Sequence, residues 1–262
     1  MHPQRSGPMK TATYSLLGTE VDALSMDDLH TVIDGAIRSG ERCIIGSQNL
    51  HSIFVARRDS GMREFYAQAS YRRIDGMPLV MWGRLLGYPI ERTHRVTWVD
   101  WLRPLLREAA GRGWRVFYLG AYADVVNEGA ERLRAEFPAL ELGVTNGFFD
   151  ASPGSEENRW VLDAIRTFEP HILMVGMGMP RQERWILDNL EDLPATVLLP
   201  CGACIDYVAG AIPTPPRWMG KVGLEWLYRL LSEPRRLARR YFVEPWFLLP
   251  LFARDLRGRV FR

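Results

Sequence analysis

The sequence predicts a doubly wound, Rossmann-like α/β fold with a parallel sheet, followed by a C-terminal helical appendage. Short apolar runs alternate with stretches of helical periodicity between residues 42 and 202, and a proline-rich break follows them. Beyond the break the chain becomes basic and aromatic. We therefore expect an α/β domain over residues 1–210 and an appendage over residues 211–262.

Five short apolar runs that end in glycine or polar residues have the character of buried parallel strands. They are RCIIGS (42–47), WRVFYLG (114–120), LELGVT (140–145), HILMVGM (171–177) and ATVLLPCG (195–202). Apolar residues spaced three and four apart predict helices at 124–136, 156–169 and 181–190. Strands that alternate with helices in this way are typical of a doubly wound sheet.

The clearest boundary is AIPTPPRW (211–218), which has three prolines in eight residues. After it, GLEWLYRLLSEPRRLARRYF (223–242) has the pattern of two amphipathic helices broken at Pro234. The apolar run FLLPLFA (247–253) is much shorter than the roughly 20 residues that cross a bilayer. The appendage is therefore expected to lie on a membrane rather than span it.

Charge divides the chain at the same place. Residues 217–262 contain 11 Lys/Arg and 4 Asp/Glu, a net charge of +7, whereas the preceding 22 basic and 27 acidic residues give −5. The basic residues of the tail alternate with Trp, Tyr and Phe, which suits an anionic surface such as lipid headgroups or a phosphorylated substrate. A non-enzymatic nucleotide- or nucleic-acid-binding protein would also fit the tail taken alone.

Composition excludes several other classes of protein. The chain is 47% hydrophobic and 24% charged, which is ordinary for a globular protein. The N-terminal MHPQRSGPMKTATYS has no apolar segment, so no secretory signal is expected. Three cysteines are too few for a disulfide framework in a chain of this length. We expect a cytoplasmic protein that binds peripherally to the inner face of the cytoplasmic membrane.

Polar side chains stand where strands end, which is where ligands bind in doubly wound sheets. Ser47 and Asn49 follow the first strong strand and could hydrogen-bond a sugar or a nucleotide, or cap the next helix. Asp75 lies on a glycine turn in RRIDGMP. Its carboxylate could cap a helix, or act as a general base that takes a proton from an attacking hydroxyl.

The run VGMGMPRQERW (175–185) combines a flexible turn with a helix start. Gly176 and Gly178 allow close backbone approach, and Gln182 lies in the first helical turn after Pro180. Helix N–H groups at such a turn suit phosphate or sugar oxygens. Because the third glycine of a GxGxxG fingerprint is missing, a dinucleotide-binding interpretation is weak.

The sequence CGACIDYVAG (201–210) contains a lone CxxC pair. With no second cysteine pair and no adjacent histidine, we interpret Cys201 and Cys204 as small core residues rather than a redox or zinc site. Asp206 in the same segment could face the ligand cleft or cap a turn.

No Asp-x-Asp motif stands where a metal would be held against a diphosphate, and we expect neither a metal nor a cofactor. Arginines of the tail could balance a diphosphate charge instead. The candidates, of which two or three are expected to be merely solvated or in contact with headgroups, are Arg229, Arg235, Arg236, Arg239 and Arg240.

In combination, these motifs resemble those of the WecG/TagA/CpsF glycosyltransferase family. The matching segments follow one another in order from about residue 15 to residue 245. They are GSQNLHSIF, RRIDGMPLVMWGRLLGYPIERTHRV, FYLGAYADVV, NGFF, VGMGMPRQERWI, GACIDYVAGAIPTPPRWM and GLEWLYRLLSEPRRLARR. The pairing of GxPxQExW with GLEWxxRLxxEPxR is the most specific part of the resemblance.

The resemblance implies a metal-independent, inverting transferase that moves a hexose-type sugar from a UDP-sugar to a polyprenyl-diphosphate-linked sugar. The product would enter bacterial exopolysaccharide or cell-surface polysaccharide synthesis. The family's base falls on Asp75, its hydroxyl residue on Ser47, its asparagine on Asn49 and its glutamine on Gln182. The appendage arginines would close over the diphosphate and help seat the enzyme on the membrane.

Three positions depart from the family pattern. Ser47 replaces threonine, RVTW replaces R-V-x-G at residues 95–98, and TPP replaces R-A-P at residues 214–216, where Arg217 could substitute. These positions surround the expected pocket and its lid, so donors of the glucose type and of the N-acetylmannosamine type both stay open. The acceptor, the linkage and any homo-oligomer also stay open.

Overall fold

A computed structural model describes residues 11–216, 218–219 and 224–260. Its centre is one eight-stranded sheet. The strands are β1 (Thr13–Leu16), β2 (Thr19–Asp22), β3 (Cys43–Gln48), β4 (Tyr71–Ile74), β5 (Val116–Gly120), β6 (Leu142–Thr145), β7 (Ile172–Gly176) and β8 (Val197–Pro200). Their spatial order is β1-β2-β4-β3-β8-β7-β5-β6.

Helices connect these strands and continue beyond the last one. In the first part of the chain they are α1 (Met26–Ser39), α2 (Leu50–Ala56), α3 (Ser60–Gln68), α4 (Met77–Leu85), α5 (Trp98–Arg112) and α6 (Ala123–Glu136). They continue with α7 (Glu156–Phe168), α8 (Arg181–Asp188), α9 (Cys204–Ala209), α10 (Glu225–Ser232), α11 (Pro234–Phe242) and α12 (Glu244–Val260). A 3-10 turn occupies Arg92–His94.

The sheet confirms the predicted doubly wound α/β class. All neighbouring strands from β2 to β6 run parallel, and only β1 pairs antiparallel with β2. The five predicted strands correspond to β3, β5, β6, β7 and β8, each within three residues of the expected bounds. From β5 the chain continues to its neighbour β6, and from β7 it continues in the opposite direction along the sheet to β8. This reversal creates a switch point at the carboxyl ends of β5 and β7.

Two separate hydrophobic clusters cover the two faces of the sheet. One contains the fully buried Trp101 and Leu105 of α5 with residues of α1, α6 and α9. The other contains Phe65 of α3 and Trp185 of α8 with residues of α7. Because both faces are covered by helices, the central strands are apolar along their whole length. Polar side chains are therefore concentrated at the strand ends.

The appendage joins a third cluster. Leu248 and Leu251 of α12 are buried against Leu16 of β1, Ile53 of α2 and Leu79 of α4. The two predicted amphipathic helices are confirmed as α10 and α11, with Pro234 as the first residue of α11. Beyond them the sequence predicts only an apolar run at residues 247–253, whereas the structure forms the long helix α12. The division of the chain near residue 210 stays a prediction, since α12 shares a core with the first domain.

Among the described residues, no helix combines the length and the apolar character that crossing a membrane requires.

Candidate active site

Asp75 and Asn49 meet at the carboxyl ends of the neighbouring strands β4 and β3. The register pairs Gln48 with Ile74, and the Asp75 N–H donates to the Gln48 carbonyl at 2.9 Å. Asn49 Nδ2 then donates to Asp75 Oδ2 at 3.2 Å. The Asp75 side chain keeps 25% of its surface exposed. The two predicted residues are therefore in direct contact, and solvent can reach the carboxylate.

For Asp75 the structure excludes the helix-capping interpretation, whereas Asn49 both caps a helix and contacts a second polar side chain. Helix α4 begins after Gly76 without a side-chain cap, so Asp75 does not cap it. Asn49 does cap α2, because its Oδ1 accepts the Ser52 N–H at 3.0 Å. Its Nδ2 remains for Asp75. One asparagine thus both starts a helix and holds the carboxylate.

Ser47 is the penultimate residue of β3 and is directly paired with Arg73 of β4. Its carbonyl accepts the Tyr66 hydroxyl at 2.6 Å. Its own Oγ is buried and has no hydrogen-bond partner within the described part of the chain. A buried hydroxyl without a partner is costly in a folded protein. Its role as a catalytic residue stays a prediction.

Gly176 is the last residue of β7, and Gly178 lies in the loop between β7 and α8. A Cβ on Gly176 would lie 2.1 Å from the Tyr118 hydroxyl and 2.6 Å from the Gly202 carbonyl, so no side chain fits there. Gly178 has φ +78, the left-handed region that favours glycine. The loop therefore runs close to the CGAC segment at the end of β8.

Gln182 fastens these two loops together. Its Oε1 accepts the Gly178 N–H at 3.1 Å and the Gly202 N–H at 3.0 Å, and its Nε2 donates to Glu183 Oε1 at 2.8 Å. The residue is only 2% exposed. Gln182 thus shapes the loops from within, and the substrate contact predicted for it stays a prediction.

Glu183 has a buried carboxyl group and follows Gln182 in the first turn of α8. It is 1% exposed, and its Oε2 has no hydrogen-bond partner among the residues described. Burial raises the pKa of Glu183 to about 7, against the hydrogen bond from Gln182 and with a further increase from Asp59. In the sequence, only the position of Glu183 directly after Gln182 could have indicated that this carboxyl group is buried.

The CxxC pair lies in the core, as predicted. Cys201 and Cys204 are buried free thiols, 4% and 3% exposed. Burial raises the pKa of Cys201 well above its ordinary value, which makes it a poor nucleophile. Asp206 follows in the first turn of α9 and is half-buried. Its contact with a ligand stays a prediction.

An exposed aromatic pair stands at the switch point and was not singled out from the sequence. Tyr122, just beyond β5, and Phe148, in the NGFF segment beyond β6, stack with ring centroids 3.8 Å apart and planes 1° apart. They are 60% and 54% exposed. Apolar rings left open to solvent near a polar cleft provide a flat surface for a ligand ring.

The appendage arginines separate into two groups. Arg229 and Arg240 are half-buried and both interact electrostatically with Asp75. Burial and the neighbouring Arg229 lower the pKa of Arg240, whereas Tyr207, Asp75 and other neighbours outweigh burial and raise the pKa of Arg229. Arg235 and Arg239 are exposed, and the side chain of Arg236 lies outside the described residues, as does Arg217.

Specific polar contacts hold the appendage against the strand ends. Glu225 of α10 pairs with Arg95, and Glu244 of α12 lies 2.7 Å from His51 Nδ1. Asp255 accepts the Leu17 N–H at 2.6 Å and the Trp82 Nε1–H at 3.1 Å. Arg229 and Arg240 are thereby held on the same side of the sheet as Asp75.

The described residues hold no group of three or more His, Cys, Asp or Glu side chains arranged like metal ligands.

Fold and site together define a doubly wound α/β enzyme whose polar residues gather at the carboxyl edge of the sheet, beneath an arginine-bearing appendage. Residues 14–260 match the glycosyl transferase WecG/TagA/CpsF family model. The chain belongs to this family and is a glycosyltransferase. The family assignment also removes the non-enzymatic alternative.

Similar proteins are also glycosyltransferases by name. The chain is 28% identical over 233 residues to the N-acetylglucosaminyldiphosphoundecaprenol N-acetyl-beta-D-mannosaminyltransferase of Staphylococcus aureus strain MW2. The match covers 87% of this chain and 88% of that protein. The proteins of the same name from Staphylococcus aureus strains NCTC 8325 / PS 47 and COL match with the same identity and coverage.

Proposed function

We propose that this glycosyltransferase moves a hexose-type sugar from a UDP-sugar to a polyprenyl-diphosphate-linked sugar, with inversion and without a metal. The observation that carries the proposal is the site around Asp75. A solvent-accessible carboxylate held by Asn49 shares its electrostatic environment with Arg229 and Arg240 of the appendage. A base and cations for a leaving diphosphate are thus present together.

The reaction would be a single displacement. An acceptor hydroxyl attacks the anomeric carbon of the donor sugar and passes its proton to Asp75. The new bond joins the hydroxyl oxygen to that carbon, while the bond from the carbon to the UDP oxygen breaks. Because attack and departure occur on opposite faces, the anomeric configuration inverts.

Arginines would stabilise the leaving UDP. Arg229 lies with its guanidinium 5.4 Å from the Tyr207 ring, and its Nε is buried without a hydrogen-bond partner in the part of the chain that the structure describes. Guanidinium groups bind diphosphate oxygens through charge-assisted hydrogen bonds. Preorganised cations at the position where negative charge develops lower the barrier directly.

The stacked rings of Tyr122 and Phe148 suit the nucleobase of the donor. They stand beside the glycine loops at the switch point, where doubly wound sheets bind nucleotides. An exposed ring face stacks on a planar base with little regard to its identity. The UDP-sugar would then extend from these rings towards Asp75.

The outer surface of the appendage is apolar enough to suit a lipid-linked acceptor. Several large apolar side chains on α10, α11 and α12 are exposed, among them Leu231, Phe242, Trp246 and Leu249. Such residues on a basic segment are typical of helices that lie in a membrane interface. The named relatives act on an undecaprenol-linked N-acetylglucosamine diphosphate. We propose an acceptor of that class, presented at the cytoplasmic face of the membrane for exopolysaccharide or cell-surface polysaccharide synthesis.

The proposal is tested by replacing Asp75 with Asn. UDP-N-acetylmannosamine and UDP-glucose are each supplied with a short-chain polyprenyl-diphosphate-linked N-acetylglucosamine, and products are followed by mass. Loss of the base is expected to lower kcat by about 10²–10⁴-fold. Asp163→Asn, an exposed aspartate of α7, serves as the matched control and should leave kcat unchanged.

Stereochemistry and metal dependence complete the test. The anomeric proton of the product, read by NMR, should show inversion relative to the donor. Turnover should persist after extensive treatment with EDTA. Near wild-type turnover by Asp75→Asn would remove the base assignment, and activity that returns only with added Mg²⁺ or Mn²⁺ would contradict the arginine mechanism.

A further inference from the structure

Arg73 is an arginine enclosed completely within the protein. It lies on β4, between β2 and β3 in the sheet, and has no exposed surface. Asp75 directly follows the last residue of β4, and Arg73 Nη1 lies 3.5 Å from its Oδ1. Arginine is almost never fully buried unless its charge is paired. Its position beside the proposed base therefore requires an explanation.

The contacts of Arg73 are few and converge on the site. Its Nη1 donates to the Val96 carbonyl and lies 3.5 Å from Asp75 Oδ1. The guanidinium carbon is 5.0 Å from the ring centre of Trp98 and 5.3 Å from that of Trp101. Nε and Nη2 are buried without hydrogen-bond partners among the described residues.

Folding alone does not account for this arrangement. Burial lowers the pKa of Arg73, and the charge of Asp75 only partly opposes that effect. A buried cation with one distant ion pair and two unsatisfied nitrogens costs stability. An apolar side chain of similar volume at such a position is often neutral or stabilising. Residues that cost stability in this way are typical of functional sites.

The contact with Arg73 restricts the orientation of the Asp75 carboxylate. Its Nη1 lies beside Oδ1 of Asp75, while Asn49 holds Oδ2 at 3.2 Å. With both oxygens engaged, the carboxylate plane cannot rotate freely. The same guanidinium binds the Val96 carbonyl, next to Arg95, which pairs with Glu225 of the appendage. Arg73 thus joins the base to the segment against which the appendage rests.

We propose that Arg73, which lies beside the stacked rings of Trp98 and Trp101, is a positioning residue that orients the Asp75 carboxylate for proton abstraction. This inference rests on the proposed role of Asp75 as the base. It makes Arg73 a residue retained for catalysis at the expense of stability.

The test replaces Arg73 with Met, which keeps the volume and removes the guanidinium. We expect kcat to fall by at least about tenfold while KM for the UDP-sugar changes by less than about threefold. The Tm should stay equal to that of the wild type or rise. Binding of UDP, measured by calorimetry, should be unchanged and shows that the variant is folded.

Arg72→Met is the matched control. Arg72 is the neighbouring residue on the same strand, but it lies on the opposite face, 3.6 Å from Asp22 and 3.4 Å from Glu20. Its removal leaves Asp22 buried without that cation, so Tm should fall while kcat stays the same. The two arginines are thus expected to give opposite results.

A double-mutant cycle separates this inference from the function it rests on. If Arg73 acts through Asp75, Arg73→Met should cause no further loss of kcat in the Asp75→Asn background. A kcat within about twofold of wild type for Arg73→Met, or an equal loss in both backgrounds, would overturn the inference. Full activity of Asp75→Asn would instead refute the proposed function.

Arg73→Lys covers the case in which the methionine variant does not fold. Lysine keeps a charge but lacks the planar guanidinium, whose Nη1 contacts both the Val96 carbonyl and Asp75 Oδ1. A folded Arg73→Lys enzyme with at least about tenfold lower kcat supports the positioning role, and one with wild-type kcat contradicts it.

Discussion

The sheet domain and the appendage are stabilised in different ways. The sheet is covered on both faces by continuous hydrophobic clusters, and its central strands are almost entirely buried. The described part of the appendage contributes only four buried hydrophobic side chains, Leu230, Leu237, Leu248 and Leu251. Its remaining attachment consists of aromatic contacts, such as that of Phe252 with Trp82, and of separate polar contacts such as the Arg95–Glu225 ion pair.

This difference assigns separate tasks to the two regions. Regions with few buried contacts open at a lower free energy than the core of a protein. We therefore expect the sheet to hold Asp75 and Asn49 in place, and the appendage, with Arg229 and Arg240, to open at a lower free energy than the sheet. Such movement would let substrate and product pass beneath the arginines.

The largest expected effect comes from Leu248, where the appendage enters the core. Leu248→Ala removes a fully buried side chain and should lower the free energy of unfolding by about 2–5 kcal/mol. Urea denaturation followed by circular dichroism measures it. Leu249→Ala, at the next residue but 51% exposed, should change stability by less than about 0.5 kcal/mol. Equal effects of the two variants would show that α12 does not pack as described.

A smaller effect, confined to pH, is expected from Glu183 in the sheet domain. Its pKa is about 7 in the folded protein, against an ordinary value of 4.5. Between these values the unfolded chain releases a proton that the folded protein keeps, so the free energy of unfolding falls as pH rises. The total decrease is about 3 kcal/mol. Denaturation at several pH values should show this slope in the wild type and its loss in Glu183→Gln.

Glu131→Gln is the control for that experiment, since Glu131 is exposed on α6. Its pH dependence should match that of the wild type. A slope that persists in Glu183→Gln would place the titrating group elsewhere.

The central strands could be predicted because their environment is uniform. A strand buried on both faces, such as β7, is apolar throughout and can be recognised without knowing its neighbours. Strands β1 and β2 are short and partly exposed at the sheet edge, so their composition carried no such signal. The family motifs identified Asp75 and Asn49, and the structure brings those two residues together.

Residues whose role depends on packing could not be found in the same way. Arg73 is charged, and sequence patterns place charged residues at the surface rather than in the core beside two tryptophan rings. Leu248 and Leu249 are identical in type and adjacent, yet only one is buried, because the partner surface on β1, α2 and α4 decides it. Likewise, Arg229 and Arg235 differ only in how the appendage helices are placed.

We infer that the appendage is part of the active site and not only a membrane anchor. The most direct test is turnover of Arg229→Ala with a water-soluble, short-chain lipid-diphosphate acceptor and no membrane present. The exposed Arg235→Ala is the control. We predict that Arg229→Ala loses at least about tenfold in kcat under these conditions, whereas Arg235→Ala does not. Wild-type turnover by Arg229→Ala without a membrane would contradict the claim and reduce the appendage to an anchor.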